Sequence, residues 1–342
     1  MKGFNLAPED FRDISRSWSG IKVVVFGDMI LDEYIYGRTG RVSREAPVVI
    51  VEYDGTSYCP GGGANAAANI SALGGTGSAV GITGEDSAGK RLRAELEKRS
   101  VSVKGLISSE NRGTVLKTRI MAGDFHAQRQ QIVRIDRENK QYIPGKDQQR
   151  VLSAFSREIS DAGAVILSDY NQKLLSAQVI SDALEMIRER GIPVFVDSRF
   201  RLNEFSGVTG ATPNEVELSM TAGIELAEDG AVDEAALAVM EKLSLESLIV
   251  TRGSCGMSLY RPGKEVFSVP VVGSRAATDV TGAGDTVVAV VALAAAAGAD
   301  MKTAMMTANA AASVVVMKRG TGVASPGEIV ELLKEHCGDQ TG

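Results

Sequence analysis

Histidine is nearly absent: His126 and His336 are the only two in 342 residues. That excludes an HExxH metal site and leaves a Ser-His-Asp triad just two residues to draw on. Cysteine is also scarce. Cys59, Cys255 and Cys337 lie far apart and none sits in a CxxC pair, so neither a disulfide framework nor a structural zinc site is indicated, and a reducing, cytoplasmic setting is expected. No apolar run approaches the roughly 20 residues that a membrane helix needs, and MKGFNLAPEDFRDISRSW lacks the apolar core of a signal peptide. A basic surplus is missing as well. The net charge of −6 argues against a nucleic-acid partner, while a small anionic substrate, gripped by a few Arg or Lys, stays compatible. What is present is a globular composition, 44% apolar and 23% charged, with 37 glycines that suit helices packed closely on a sheet. The length fits one large α/β domain or two ordinary ones.

The run IKVVVF (Ile21 to Phe26) is short and β-branched and ends at Gly27-Asp28, which predicts a buried strand entering a functional turn. VVIVEYD (Val48 to Asp54) predicts a strand of mixed face, and CPGGGANAAANISALGG a glycine turn opening a small-residue helix. GTVLKTRIMAG and AQRQQIVRIDRE alternate polar and apolar residues around a Gly-Asp turn, which predicts a hairpin with one wet face. With residues 34–54, this 113–136 segment is expected to form a small β lid. From about residue 148, helix and strand alternate: helix 148–160, strand AVILS, helix 176–190, strand PVFVD, helix 232–243, strand LIVT. Such alternation predicts a doubly wound, mostly parallel α/β sheet with helices on both faces, and ligands beyond the carboxyl ends of its strands. Asp169, Asp197 and Thr251-Arg252-Gly253 fall at such ends.

Two phosphate-binding patterns fail on inspection. GEDSAGKR has Walker A spacing of glycine and lysine, but Arg91 stands where Ser or Thr must meet magnesium, so a helix start is the better reading. GGTGSAVG misses GxGxxG spacing and leads into a strand.

TDVTGAGDTVVAVVALAAAAGAD (Thr278 to Asp300) admits three readings of Asp285: a helix cap, the GxGD signature of an intramembrane aspartyl protease, or a catalytic base beside an anion-binding turn. The apolar stretch stops at Asp300 and Lys302, too short for the protease. In the third reading Gly282, Ala283 and Gly284 let a ligand approach the backbone, helix amides hold developing charge, and the carboxylate accepts a proton. A cap would look the same. GGGAN (Gly61 to Asn65) is a second glycine turn before a helix, and Asn214 and Glu217 in TPNEVE lie on one face of a helix start, as magnesium-ordering groups or as a surface capping pair. Asp28 and Asp32 point one way in either a helix or a strand and form a candidate pair for gripping hydroxyls, or otherwise a solvated turn. Lys117, Arg119, Arg129 and Arg134 are solvated strand charges by default.

GGGAN, TPNEVE and DVTGAGDT in this order resemble the ribokinase or phosphofructokinase-B family of carbohydrate kinases across nearly the whole chain. RVSREAPV, GDMILDEYIYG and QRQQIVRID, the last containing Arg134, are similar to the bacterial kinases that phosphorylate D-glycero-β-D-manno-heptose 7-phosphate at the anomeric oxygen with ATP, in ADP-heptose and lipopolysaccharide precursor synthesis. The resemblance implies a single ribokinase-like domain over residues 1–342, with Asp285 as base and Gly282, Ala283 and Gly284 as anion hole. It puts Asp32, Gly62, Gly63 and Asn65 on the sugar, with Asp28, Arg134 and Asp169 on the same side. Asn214 and Glu217 would handle Mg2+ and phosphate, and Thr251, Gly253, Gly256 and Asn309 the nucleotide. Asp279 and the loop Arg319 to Ser325 would hold a monovalent cation such as K+, and lid edges would pair two subunits. The chain departs from SDYGKG and DPK of the heptose kinases, carrying SDYNQK (Ser168 to Lys173) and DSR (Asp197 to Arg199), so the lysine expected on a substrate phosphate is displaced to Lys173 or replaced by Arg199. No HxGH nucleotidyltransferase motif occurs, and a separate protein is expected to perform that step. A nucleoside kinase and a non-catalytic nucleotide- or sugar-binding protein are the alternatives.

Overall fold

The structure, a computed structural model, describes residues 6–123, 129–226, 228, 230–273 and 277–339. His126 and the turn of the predicted lid hairpin lie outside these residues. The chain opens with α1 (Pro8–Arg16) and β1 (Lys22–Gly27), followed by β2 (Met29–Val42), β3 (Val49–Gly62) and α2 (Gly63–Ala72). Next come β4 (Thr76–Gly84), α3 (Ser87–Glu97) and β5 (Ser102–Ser109). The GEDSAGKR segment does start a helix, because the Asp86 side chain accepts the Gly89 N–H and caps α3. After β6 (Val115–Gly123) and β7 (Gln130–Arg137), the predicted alternation follows. It comprises α4 (Gly145–Glu158), β8 (Ala164–Asp169), α5 (Ala177–Arg190), β9 (Val194–Ser198), β10 (Gly210–Ala211), α6 (Glu215–Ala222), α7 (Ala231–Leu243) and β11 (Ser247–Thr251). The chain then forms β12 (Met257–Tyr260), β13 (Phe267–Val269), α8 (Ala283–Ala296), α9 (Met301–Val315) and α10 (Pro326–Asp339).

The main sheet has nine strands in the order β13-β12-β11-β10-β9-β8-β1-β4-β5. All pairs from β5 to β11 are parallel, and β12 and β13 add antiparallel at one edge. Side chains of β1 alternate between two cores: Val23 and Val25 belong to one and Val24 and Phe26 to the other. Burial on both faces is why this strand is a continuous apolar run. From β1 the chain goes out to β4 and β5 on one side and returns to β8 on the other, so the carboxyl ends of β1 and β8 flank a topological switch point. This bears out the doubly wound reading.

The second sheet has the order β3-β2-β6-β7. Its strands reach further than residues 34–54 imply: β2 begins two residues after β1 ends, and Met29 registers with Gly62. The glycine run conceals this extension. Gly61 reads as a turn, yet it is strand, and its lack of a side chain lets Asp32 approach: a Cβ there would lie 2.5 Å from Asp32 Oδ2. The expected single wet face also needs correcting, since all eight residues of β7 are exposed.

The β8–α5 loop carries SDYNQK. Asn171 (φ 58°) and Lys173 (φ 64°) adopt left-handed backbone at the two positions where SDYGKG has glycine. A non-glycine residue there is strained by roughly 1–2 kcal/mol, less for Asn, while glycine adds back roughly 0.5–1 kcal/mol of chain entropy. Lys173→Gly is therefore expected to raise unfolding free energy by roughly 0.5–1 kcal/mol. Denaturant melts check it, and a less stable variant contradicts the strain.

Candidate active site

Gly282, at φ 83°, is the N-cap of α8, and Ala283, Gly284 and Asp285 are its first three helical residues. A side chain on Gly282 would run into Asn65, with Cβ 2.7 Å from its Nδ2, so both conformation and space require glycine. Gly284 and Asp285 have no backbone acceptor for their N–H groups among the described residues, as expected of a helix start. Asp285 is thus inside the first turn rather than at the cap, which corrects the cap reading. Residues Asp285 to Ala294 are all buried. The apolar run is a core helix, and no described helix is long and apolar enough to cross a membrane.

Asp285 itself is 2% exposed. Its Oδ2 accepts from Asn65 Nδ2 at 2.8 Å and its Oδ1 from the Tyr170 hydroxyl at 2.7 Å. Asn65 is fixed in turn by Asn69 one helical turn on, and Asn69 Oδ1 accepts from Thr286, so α2 and α8 are bonded at two levels. Burial pushes the Asp285 pKa up to about 6, against the pull of the Asn65 and Tyr170 hydrogen bonds. A carboxylate raised in this way binds its proton more tightly folded than unfolded. Its ionisation lowers stability as pH rises from about 4 through 6.

A cavity of about 540 Å³ opens at this helix start, in the usual size range for small-molecule sites. It is lined by Gly282, Ala283, Gly284 and Asp285, by Lys117, Arg119 and Arg134 from the lid, by Tyr170, Asp197 and Arg199 at the ends of β8 and β9, and by Asn214, Glu217, Thr251, Gly253, Gly256 and Asn309, among others. Asn214 and Glu217 make a reciprocal capping box on α6, at 2.9 Å each way, which is the capping reading of TPNEVE, and both also line the cavity. An isolated bridge between Asn214 and Thr251 brings their segments together. Asn309 donates to Pro270 O at 2.6 Å.

Several predicted site residues stand behind the wall. Asp32 pairs with Arg119 and accepts from Thr321 Oγ1 at 2.8 Å, and Asn65 acts through Asp285. Gly62 and Gly63 pack against the Asp28 carbonyl. Asp28 is a correction to the hydroxyl-gripping pair: its Oδ2 accepts the N–H groups of Tyr170 and Gln172, both at 2.9 Å, and holds their loop. Burial, then the Asp169 charge, pushes its pKa up to about 6. Asp169 is likewise occupied, by Ser198, Arg201 and Asn171, and does not line the cavity. Lys173 is turned away to Asn171 Oδ1 and the Tyr142 ring, because its left-handed backbone redirects the side chain. Arg199 does line the cavity. Asp279 accepts from Thr281 N and Gly320 N, both at 2.9 Å, so it meets the 319–325 loop as expected, away from the cavity lining.

Sequence reasoning missed Tyr170 and left Lys117, Arg119 and Asp197 without a role. Arg119 is buried, and burial and then the Arg199 charge hold the Lys117 ammonium below its ordinary pKa. Asp197 is pushed well above the carboxylate range, first by burial, then by Asp285 and Glu217. Neither Lys117 nor Arg199 has a carboxylate ion-pair partner among the described residues. Both instead lie over the Tyr170 ring, at 5.5 and 5.0 Å from its centroid. Arg129, by contrast, pairs with Asp54 on an exposed part of the lid.

Residues 21–327 match the pfkB family of carbohydrate kinases. The chain is 36% identical over 319 residues to the bifunctional protein HldE of Desulfatibacillum aliphaticivorans and 38% identical over 323 residues to that of Vibrio atlanticus. These alignments cover 93% and 94% of the chain but only 64% and 65% of the relatives, so the chain spans less than two thirds of their length. Among solved structures it is similar in fold to Arabidopsis thaliana ribokinase complexed with ribose and ATP (TM-score 0.72, 23% identity, 92% of this chain and 99% of that one). It is also similar to Escherichia coli phosphofructokinase-2 in complex with substrates and products (TM-score 0.76, 19% identity, 93% and 99%). With a buried aspartate in the first turn of α8 and this match over most of its length, the chain belongs to the pfkB family of carbohydrate kinases.

Proposed function

We propose that the chain transfers the γ-phosphoryl group of ATP to a hydroxyl of a phosphorylated sugar, with D-glycero-β-D-manno-heptose 7-phosphate as acceptor and the 1,7-bisphosphate as product. The observation that carries the sugar-phosphate reading is the pair of cavity cations, Lys117 and Arg199, that lack carboxylate partners beside the base. An anionic acceptor would give both a direct ion pair; a free sugar or nucleoside would leave Arg199 only the charges of Asp285, Asp197 and Glu217, and Lys117 those of Asp32 and Asp136, none at ion-pair distance. The HldE relatives support heptose as the sugar.

In this reading Asp285 takes the proton of the attacking hydroxyl through Oδ1 or Oδ2. The N–H groups of Gly282, Gly284 and Asp285, which have no backbone acceptor among the described residues, hold charge developing on the transferred phosphoryl group, while Ala283, also expected in this anion hole, gives its N–H to Val280 O at 3.3 Å; the cavity walls align donor and acceptor. The nucleotide lies along Thr251, Gly253, Gly256 and Asn309. Mg2+ fits this donor set as an ion carried mainly by phosphates and water, since no described cluster of three ligating side chains exists to cage it. Glu217 and Asn214 would order its water shell, and the ion would supply charge neutralisation at the transferred phosphate. Asp279 and the 319–325 loop are the proposed K+ site, supported by the contact between Asp279 and Gly320. The exposed β7, with Ile132, Val133 and Ile135 each more than 40% exposed, supports pairing of two subunits through the lid. A cytoplasmic location is proposed with it.

ADP release measured over sugar phosphates, free sugars and nucleosides tests the acceptor class; preference for a nucleoside, or no release at all, overturns the reading. Asp285→Asn is expected to cut turnover by about three orders of magnitude while ATP still binds. Near-normal turnover contradicts the base assignment. With the base titrating near 6, kcat/KM should be flat at neutral pH and fall about tenfold per unit of pH below it. Arg199→Met should raise KM for the sugar phosphate by roughly tenfold or more, the scale of one lost charge-assisted contact, and leave KM for ATP unchanged.

A further inference from the structure

Tyr170 has no place in the chemistry just described, yet its contacts are the most constrained at the site. Asp28 fixes its backbone, accepting the Tyr170 N–H at 2.9 Å. Its hydroxyl donates to Asp285 Oδ1, the oxygen that Asn65 leaves free, at 2.7 Å. Its ring lies under Lys117 and Arg199, the two cations assigned to the acceptor's anionic group. We propose that Tyr170 is a positioning residue for the transfer: its hydroxyl locks the Asp285 carboxylate in place, and its ring seats the two cations that meet the acceptor phosphate. The proposal rests on Asp285 being the base.

Three groups besides Tyr170 face Asp285 from neighbouring elements with charge: Asp32 on β2, and Asp197 and Arg199 at the end of β9. Asp32 and burial favour the protonated acid; Arg199, Asn65 and Tyr170 favour the carboxylate. The Tyr170 phenol is held well above its ordinary pKa by burial and by Asp285, so it stays a donor across the working range. Removing that donor leaves burial less opposed, and Asp285 then keeps its proton to a higher pH.

Tyr170→Phe removes the hydroxyl and preserves the ring. The acid limb of kcat/KM for the sugar phosphate should move up by about one pH unit, a tenfold change in the protonation equilibrium. Above that limb kcat should stay roughly threefold to tenfold below the parent, because the ionised carboxylate is no longer held in place, and acceptor KM should stay within about twofold. Tyr170→Ala should add a rise in acceptor KM of roughly tenfold, because Lys117 and Arg199 lose their seat. Melting curves and ATP binding establish that both variants fold. An unmoved acid limb in the phenylalanine variant, or an equal loss at every pH, overturns the proposal. If Asp285→Asn still turns over, the base assignment fails instead, so the two failures are told apart.

Discussion

The hydrogen bond from Asn65 to Asp285 joins the starts of two helices that are 220 residues apart in the chain. Around it the structure has little freedom. Gly282 must be glycine to leave room for Asn65, Asn69 must sit one turn on to brace it, and Thr286 must reach back to Asn69. The small residues of GGGANAAAN and TGAGDT allow α2 and α8 to approach closely enough for side-chain amide and carboxylate to meet. A buried carboxylate without such partners would simply keep its proton. With them, it titrates near the edge of the neutral range, where it can serve as a base and still be desolvated.

Much of the parallel sheet was legible because β1, β8, β9 and β11 are largely buried and read as short apolar runs, whereas β5, SVKGLISS with Lys104 exposed, does not. IKVVVF and AVILS needed nothing from outside the strand to identify them, and the helices between them carried their own caps and breaks. The helix-start residues Asp285, Asn65, Asn214 and Glu217 were not legible singly, because glycine, amide and carboxylate are also the usual capping residues; the order of GGGAN, TPNEVE and DVTGAGDT and the family it resembles singled them out. The lid was harder. Its strands face water or the cavity, so their alternation reports half-burial and not partners, and Lys117 and Arg119 looked like any solvated strand charge.

Asp28, Asp169 and Lys173 show the limit of reading a loop by its residue types. Asp28 spends its Oδ2 on two backbone N–H groups and Asp169 both its oxygens on its neighbours, and the lysine side chain turns to Asn171 and Tyr142 from a left-handed backbone. None of this is written in the order of the letters SDYNQK. Tyr170 escaped notice because an aromatic at the end of a buried strand is ordinary core material; its value comes from the direction in which Asp28 turns the loop.

The β2–β3 half of the lid joins the body without loops, whereas β6 and β7 are tied to it through residues 110–114 and 138–144. One residue separates β1 from β2, and β3 passes into α2 with none between them. Two fourteen-residue strands therefore run between the outer sheet and the body, β2 from the end of β1 and β3 straight into the first turn of the helix that holds Asn65, with irregular register only at Tyr36/Gly37 and Thr39/Arg41. A sheet attached in this way behaves as a lever and not as a door. Its tips can swing only by bending or twisting the strands, and the root of that lever is the amide on which the buried Asp285 carboxylate rests.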